Sequence, residues 1–307
     1  LFDTRGLSKY SLGQLQEAIH DFDKALSINP DYGPAYYNRG KAKYDLNEFA
    51  LAVADLEKAE QTGANSLALY EMLGLARYEN KNFKGSVADL SRAITMGSEN
   101  AKVFLVRGII KYDAKEYPAA ASDLQKVLAA AEQHPIVYQY LGNTKFYLKS
   151  YEEAENFLSK AIEKQVATPL VYANRGQAHY EMKNYQQSIR DMETALADGY
   201  REGQMLYILG NAKFLTDDFE GAIKAFDQAI TDGIVHEVIF NNRGKAKASL
   251  GNYQASLTDY NKAIGLKEDY GRAWVNRADA YYELQEYQEA VKNYQQVIKL
   301  NQADHQV

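Results

Sequence analysis

The hexapeptide NRGKAK occurs twice in this chain, beginning at Asn38 and at Asn242, and combines a glycine with two lysines. Such residues could contact phosphate, but neither copy has the flanking strand and glycine-rich turn of a phosphate-binding loop. The five histidines show no metal-ligand spacing and have no nucleophile near them in the sequence, and the chain has no cysteine. We therefore predict that the chain is not an enzyme and holds neither a cofactor nor a metal ion.

Charge and hydropathy narrow the class of protein further. The 307 residues carry a formal charge of −6 at pH 7, whereas proteins that bind nucleic acid usually have clustered positive charge. No apolar run approaches the roughly 18 residues of a membrane-spanning helix. We predict a soluble protein that neither binds nucleic acid nor inserts into a membrane. The lack of cysteine leaves its compartment open, and a chain that begins at Leu1 is expected to be processed or part of a longer protein.

The two NRGKAK copies lie 204 residues apart, which is six times 34, and a period of 34 residues runs through the whole sequence. Glycine recurs in one register, an aromatic residue usually follows it by four positions, Ala or Ser by 12, and a large apolar residue by 16. These spacings fall on the faces of two amphipathic helices in each period. The recurring residues are Gly6, Gly40, Gly74, Gly108, Gly142, Gly176, Gly210 and Gly244, with Ala278 in the ninth place.

Residues that end helices also recur in one register. Asn29, Gly63, Gly97, Gly199 and Gly233 lie between consecutive periods, where a residue in the left-handed conformation would terminate the second helix. A proline directly follows the first of them and cannot continue a helix. The sequence shows no strand-like alternation and no low-complexity linker. It therefore predicts an all-α solenoid.

With the recurring glycine at position 8 of each period, the sequence resembles the tetratricopeptide repeat, a helix–turn–helix unit of 34 residues. The resemblance implies a right-handed superhelical α-solenoid of nine tandem repeats in one domain, residues 1–307. Tryptophan stands at position 4 only in Trp274, and the proline that ends a unit is kept only in Pro30. The predicted repeats are residues 1–32, 33–66, 67–100, 101–134, 135–168, 169–202, 203–236, 237–270 and 271–304.

Arginine replaces the usual leucine at position 7 in six repeats, and a basic residue replaces the usual tyrosine at position 11 in eight. These positions share the helix face of the glycine, which packs against the second helix, so each charge needs a partner. Position 23 of the second helix supplies one. A charged binding strip is the alternative, but we predict internal pairs between the two helices. The pairs are Arg5–Asp21, Arg39–Asp55, Arg107–Asp123, Arg175–Asp191, Arg243–Asp259 and Arg277–Asn293.

The resemblance also implies that positions 2, 5, 9, 12 and 13 of each first helix line an inner groove that binds extended peptides or partner helices. In repeats five to seven these positions combine amides with aromatic rings, which suits a peptide because amides bond its main chain and rings hold its side chains. In repeats one to four the charged residues at these positions are mostly acidic. We therefore predict a partner segment that is basic at one end and apolar or aromatic along its middle. The acidic members are Asp3, Asp45, Glu71, Glu79 and Asp113, and the basic members are Lys41 and Lys102.

Two pairs of asparagines add detail to the predicted groove. Asn143 and Asn174 lie at positions 9 and 6 of consecutive repeats, and Asn211 and Asn242 repeat that relation. The arrangement resembles part of the family's carboxylate clamp, which grips the C-terminus of a partner. Arg272, at position 2 of the ninth repeat, would supply a cation for it.

The sequence departs from the clamp at two places, because Tyr207 and Asn276 stand where the clamp has Lys and Arg. The asparagines at position 6 also resemble a ladder that holds peptide backbones, and a further alternative is a polar helix surface with hydrogen bonds between repeats. The predicted peptide-binding residues are Asn143, Phe146, Tyr147, Asn174, Tyr180, Tyr207, Asn211, Phe214, Asn242 and Arg272.

Together these features predict a scaffold that binds a protein or peptide segment in a concave groove. Two alternatives stay open. The chain could be a structural or regulatory component of a larger complex and form a homo-oligomer through its terminal helices, since Tyr294, Val297 and Ile298 have no following helix to cover them. It could also be the targeting arm of an enzyme whose catalytic domain lies outside this sequence.

Overall fold

The computed structural model describes residues 1–128 and 134–304, with side chains up to Leu300. The described residues form 18 α-helices and no strand, which confirms the predicted all-α repeat fold. Two compact units divide the chain, Leu1–Leu148 and Lys149–Val307, and the organisation as one domain of nine repeats stays a prediction. The helices of the first unit are α1 Phe2–Ser11, α2 Leu15–Ile28, α3 Gly33–Asp45, α4 Phe49–Gln61, α5 Leu67–Glu79, α6 Phe83–Thr95, α7 Ala101–Asp113, α8 Tyr117–Leu128 and α9 Ile136–Tyr147. Those of the second are α10 Tyr151–Glu163, α11 Pro169–Glu181, α12 Tyr185–Ala197, α13 Gly203–Phe214, α14 Phe219–Thr231, α15 Glu237–Ser249, α16 Tyr253–Leu266, α17 Gly271–Glu283 and α18 Tyr287–Asp304.

The recurring glycine lets the two helices of a repeat approach closely. A Cβ added to Gly40 would lie 2.9 Å from Cγ of Leu56, and one added to Gly176 would lie 2.9 Å from Cγ of Met192. The large apolar side chain 16 residues after the glycine fills the space beside it. It is fully or almost fully buried in seven repeats whose two helices lie in one compact unit, as Phe22, Leu56, Leu90, Leu124, Met192, Phe226 and Tyr260.

The turn inside each repeat depends on a left-handed residue that the sequence pattern did not reveal. At position 15 the backbone has positive φ throughout, for example 62° at Lys115 and 64° at Lys183, although only Gly13 and Gly251 are glycines there. Left-handed backbone brings the Cβ of an L-residue too close to a neighbouring carbonyl. The conformation is kept because it lets the turn satisfy the last carbonyls of the first helix, as when the N–H of Glu116 donates to the Lys111 carbonyl at 2.8 Å.

Replacing a left-handed lysine by glycine should therefore stabilise the fold. We expect Lys115→Gly to raise the free energy of unfolding by about 0.5–1 kcal/mol, because relief of the strained conformation exceeds the added entropy of the unfolded chain. Chemical denaturation measures this change. Gly251→Ala, at the same position of another repeat with φ of 77°, should lower the stability, and a shift of both variants in one direction would contradict this explanation.

The ends of the second helices follow the sequence prediction with one exception. Gly63, Gly97, Gly199 and Gly233 have φ between 87° and 97°, as predicted. The prediction for Asn29 is wrong, because this residue has an extended backbone with φ of −133°. The proline that follows disfavours helical conformations in the residue before it, so extended backbone ends α2 there without a left-handed residue.

The predicted arginine pairs join the two helices of a repeat. Arg39 donates from Nε and Nη2 to the carboxylate of Asp55 at 2.8 and 2.6 Å, and Arg107 makes the same two contacts with Asp123 at 2.8 and 2.6 Å. All six predicted partners are hydrogen-bonded in this way or, for Asn293, through a single bond from Arg277. Internal pairing is confirmed, so these arginines do not form a strip for binding.

The same arginines also reach the preceding repeat, which the sequence pattern did not indicate. The Nη1 atom of Arg39 lies 2.5 Å from Asp23, and that of Arg243 lies 2.6 Å from Asp227. Arg107 and Arg175 donate to serines in the equivalent register, and Arg277 donates to an asparagine. Each of these arginines thus connects three helices, and the contacts fix the position of one repeat on the next.

Candidate functional site

Helix α9 carries three of the predicted binding residues, all in the first compact unit. Asn143 is only 1% exposed and Phe146 is buried as well, while Tyr147 is 41% exposed. The Tyr147 ring stacks on Tyr117 with centroids 4.7 Å apart and an angle of 9° between the planes. Of these three side chains, Tyr147 therefore presents the open surface to a ligand.

Helix α11 carries two more, in the second compact unit. Asn174 is buried, with 5% of its surface exposed. Tyr180 is half-buried, and its ring lies 5.6 Å from that of Tyr185. Burial raises the pKa of Tyr180, so its hydroxyl stays protonated and can donate a hydrogen bond at neutral pH.

Helix α13 places two half-buried rings along one face. The Tyr207 ring meets the imidazole of His236 edge to face at 5.1 Å and lies 6.2 Å from the ring of Phe226. Two helical turns further on, the Phe214 ring packs against the Phe219 ring with their centroids 5.5 Å apart. These contacts hold both rings in place without a ligand.

Four asparagines form a continuous chain of hydrogen bonds beside these rings. The Nδ2 of Asn276 donates to Oδ1 of Asn241 at 2.7 Å, Asn241 donates to Asn242 at 3.2 Å, and Asn242 donates to Asn211 at 2.9 Å. The chain joins α17, α15 and α13. It brings together the predicted residues Asn211 and Asn242, and it matches the prediction of hydrogen bonds between repeats.

A cavity of about 690 Å³ opens beside this chain of amides. Arg272 and Asn242, two of the predicted binding residues, both line it. The positively charged Nζ of Lys245, another wall residue, lies 5.0 Å from the centre of the Phe214 ring. The structure thus gathers Asn211, Asn242, Phe214 and Arg272 in one region of the second compact unit.

Sequence reasoning missed most of the residues that line this cavity, and three of those lie at positions that the resemblance had marked as inner. Asn241, Lys245 and Val275 line it although they were not among the predicted binding residues. Their positions, 5 and 9 of a first helix, belong to the inner set that the resemblance implied. Following those positions through repeats eight and nine would have found them.

Three of the five acidic residues predicted to line the groove in the first compact unit have hydrogen-bond partners. Asp3 accepts from Asn38 at 3.0 Å, and the Tyr10 hydroxyl donates to Asp45. Glu71 accepts hydrogen bonds from Ser98 and Asn100. Among the described residues, no ion pair or hydrogen bond involves the side chain of Glu79 or Asp113, so these two carboxylates stay available.

Among the described residues there is neither a cluster of metal-binding side chains nor a helix that could span a membrane. No group of three or more His, Asp or Glu side chains there is placed to hold a metal ion. No described helix combines the length and apolar character needed to cross a bilayer. The predicted absence of catalysis and of cofactors stays a prediction.

Profiles described as tetratricopeptide repeat match most of the sequence. They cover residues 71–135 and 173–234 with one profile, and 239–270 and 271–304 with two others. A profile described as TPR repeat matches residues 6–47. No curated protein matches the chain.

Solved structures of repeat proteins share the fold. A structure entitled YrrB, a TPR protein with an unusual peptide-binding site, is 18% identical, with a TM-score of 0.53 over 60% of this chain and 95% of its own. MamA is 20% identical, with a TM-score of 0.51 over 56% of this chain and 94% of its own. At these identities the likeness concerns the fold alone. The repeating profiles and the stacked helix pairs together show that the chain belongs to the tetratricopeptide repeat family.

Proposed function

We propose that this chain is a protein-interaction scaffold that holds an extended segment of a partner on the inner faces of its first helices. The observation that carries the proposal is the chain of amides from Asn276 to Asn211, of which Asn276, Asn241 and Asn242 line an open cavity. A peptide main chain offers alternating donors and acceptors, and a row of amides offers the same.

The internal hydrogen bonds leave capacity for such a ligand. A primary amide has two N–H donors and an oxygen with two lone pairs. In the chain described above, Asn276 uses one donor, Asn241 and Asn242 each use one donor and one acceptor, and Asn211 uses one acceptor. The bonds also fix the orientation of each amide, so little side-chain entropy is lost when a peptide binds.

Residues around the amides supply contacts for side chains. Phe214 and Tyr207 offer rings, and Val275 and Leu300 offer aliphatic surface. Rigid rings give contact area at low entropic cost. This combination favours a segment that is apolar or aromatic where it crosses the second compact unit.

The proposal predicts a loss of binding when both ends of the amide chain are removed. We expect the double variant Asn211→Ala, Asn276→Ala to weaken capture of a partner about tenfold or more, since each lost hydrogen bond contributes about 1 kcal/mol. The melting temperature should change little, because both side chains are only half-buried. Asn143 is left unchanged because it is buried.

The measurement is a comparative pull-down from the source organism, quantified by mass spectrometry and followed by titration of the segment identified. Asn184→Ala with Asn252→Ala is the matched control, because both side chains are exposed in turns and make no capping bond. Equal loss of partners from both double variants, or loss from neither, would count against the amide site.

One observation favours a second candidate function, assembly with other chains. On α18, Ile298 is 56% exposed, and Val291 and Tyr294, which lie at helical spacing from it, are exposed as well. Exposed apolar groups of this size are typical of surfaces that contact another protein. A scaffold could use this face and the groove together.

A further inference from the structure

Two lysines of this chain cover aromatic rings of the preceding repeat in the same way. The Nζ of Lys41 lies 4.8 Å from the centre of the Tyr10 ring, and that of Lys245 lies 5.0 Å from the centre of the Phe214 ring. Both lysines are at position 9 and both rings at position 12. A cation over an aromatic face is attracted by the negative potential of the ring.

At Tyr10 a carboxylate completes the arrangement. The Tyr10 hydroxyl donates a hydrogen bond to Asp45, which lies one helical turn after Lys41 on α3. Ring, ammonium group and carboxylate thus form one cluster in which the chain supplies its own cation. The cluster shows that this part of a repeat can hold an ammonium group over an aromatic ring and beside a carboxylate.

The same residue pattern recurs 68 residues later without the lysine and, among the described residues, without the tyrosine–aspartate hydrogen bond. Tyr78 and Asp113 hold the places of Tyr10 and Asp45, but Ile109 holds the place of Lys41. Glu79 adds a second carboxylate beside Tyr78. Neither Glu79 nor Asp113 has an ion pair among the residues that the structure describes.

Further rings surround this incomplete cluster. The Tyr112 ring meets Tyr140 edge to face at 5.5 Å and lies 6.1 Å from the exposed Tyr147. Burial raises the pKa of Tyr78, Tyr112 and Tyr140, and the charge of Asp113 raises each of them further. The carboxylate therefore acts on all three hydroxyls, and the local potential is negative.

We infer that a lysine or arginine side chain of the bound partner occupies the place over Tyr78, beside Asp113 and Glu79, that Lys41 occupies over Tyr10. This inference rests on the proposed function, because it assigns the basic part of the partner segment to the first compact unit. A cation there would gain ring faces and two carboxylates that have no internal partner.

A synthetic probe tests the subsite directly. The probe is a fluorescein-labelled 12-residue peptide of alternating lysine and alanine, and its binding is followed by fluorescence anisotropy at low salt. We expect Asp113→Asn to weaken binding about fivefold to tenfold, the range for a charge acting together with aromatic faces. The same peptide with acetylated lysines should bind neither the wild type nor the variant measurably.

Two further variants separate the subsite from general electrostatic attraction. Glu99→Gln removes the same charge from an exposed turn of the same compact unit, and it should change the affinity less than about twofold because exposed charges are screened. Ile109→Lys places a lysine of the chain itself at the position that corresponds to Lys41. This variant should weaken binding of the probe as much as Asp113→Asn does. Equal effects of Asp113→Asn and Glu99→Gln, or unchanged binding in Asp113→Asn, would overturn the inference.

Failure of this inference is distinguishable from failure of the proposed function. The asparagine variants of the second compact unit test the amide site through the natural partner, whereas the probe tests the tyrosine subsite alone. Loss of capture in Asn211→Ala, Asn276→Ala with unchanged probe binding in Asp113→Asn would keep the scaffold and reject the subsite. The reverse outcome would keep the subsite and reject the amide chain.

Discussion

Asp123→Asn is expected to lower the free energy of unfolding by about 3 kcal/mol, the cost of removing one partner from a buried ion pair. Asp123 accepts two hydrogen bonds from Arg107 and lies 2.8 Å from Nζ of Lys111. Its side chain is 5% exposed. The substitution leaves two cations between the helices with no anion, so their desolvation is no longer offset.

The equivalent substitution in the preceding repeat should act in the opposite direction. Asp89 has Leu73 in place of an arginine partner, and among the described residues Arg77 is its hydrogen-bond partner, through one bond of 2.5 Å. Burial raises the pKa of Asp89 to about 6, although Arg77 lowers it. We expect Asp89→Asn to stabilise the fold by about 1 kcal/mol at pH 7.5, because the charged form is the unfavourable one in this environment.

The pH dependence follows from the direction of that shift. Because the pKa of Asp89 is higher in the folded state, its contribution to stability is fully present below about pH 4, the usual range of an unfolded aspartate. The contribution is lost as the pH rises through 6. Urea denaturation at pH 4.5 and pH 7.5 therefore checks both variants. A destabilised Asp89→Asn at pH 7.5, or an unaffected Asp123→Asn, would contradict the account of the pairs.

Gly210→Ala is the second substitution with a large expected effect, a loss of about 2 kcal/mol from the free energy of unfolding. The added Cβ would lie 2.6 and 2.7 Å from two ring carbons of Phe226. Phe226 is fully buried, so its ring has no open space to move into. The gain in helix propensity, about 1 kcal/mol, is smaller than the cost of forcing α13 and α14 apart.

Gly265→Ala is the matched control, also within a helix of the second compact unit. No atom lies within 4 Å of its added Cβ. Helix propensity alone should then act, and this variant should be more stable than the wild type by up to about 1 kcal/mol. If both variants lose stability equally, the close approach of the helices does not explain the recurring glycine.

The repeat pattern predicted the helix pairs because the contacts that hold each pair together join residues close in the sequence. The glycine and the apolar residue that faces it are 16 residues apart, and so are Arg39 and Asp55. A period of 34 residues therefore contains both members of each contact, and their types vary together along the sequence. The helix pairs and the internal ion pairs could be derived from such regularities.

The backbone conformation of the turns could be read only from the structure. Position 15 holds Lys, Asn, Asp and Gln as well as Gly, so residue type gave no sign of its left-handed conformation. At Asn29 the residue type suggested a left-handed end, but the backbone is extended there, as it also is at Lys267 in the same register, which no proline follows. In both places the residue type alone did not indicate the conformation.

The sequence by itself determined the helices, their pairing within a repeat and the face of each first helix that packs on the second. Only the tertiary structure decided which of the other first-helix residues are exposed: Asn143 is buried, while Asn211 and Asn242 join a chain of amides beside a cavity. The physical reason is that exposure and hydrogen bonding at an inner position depend on the next repeat. Equivalent positions recur in every repeat of a periodic sequence, but the side chains of the adjacent repeat that cover them differ from one repeat to the next.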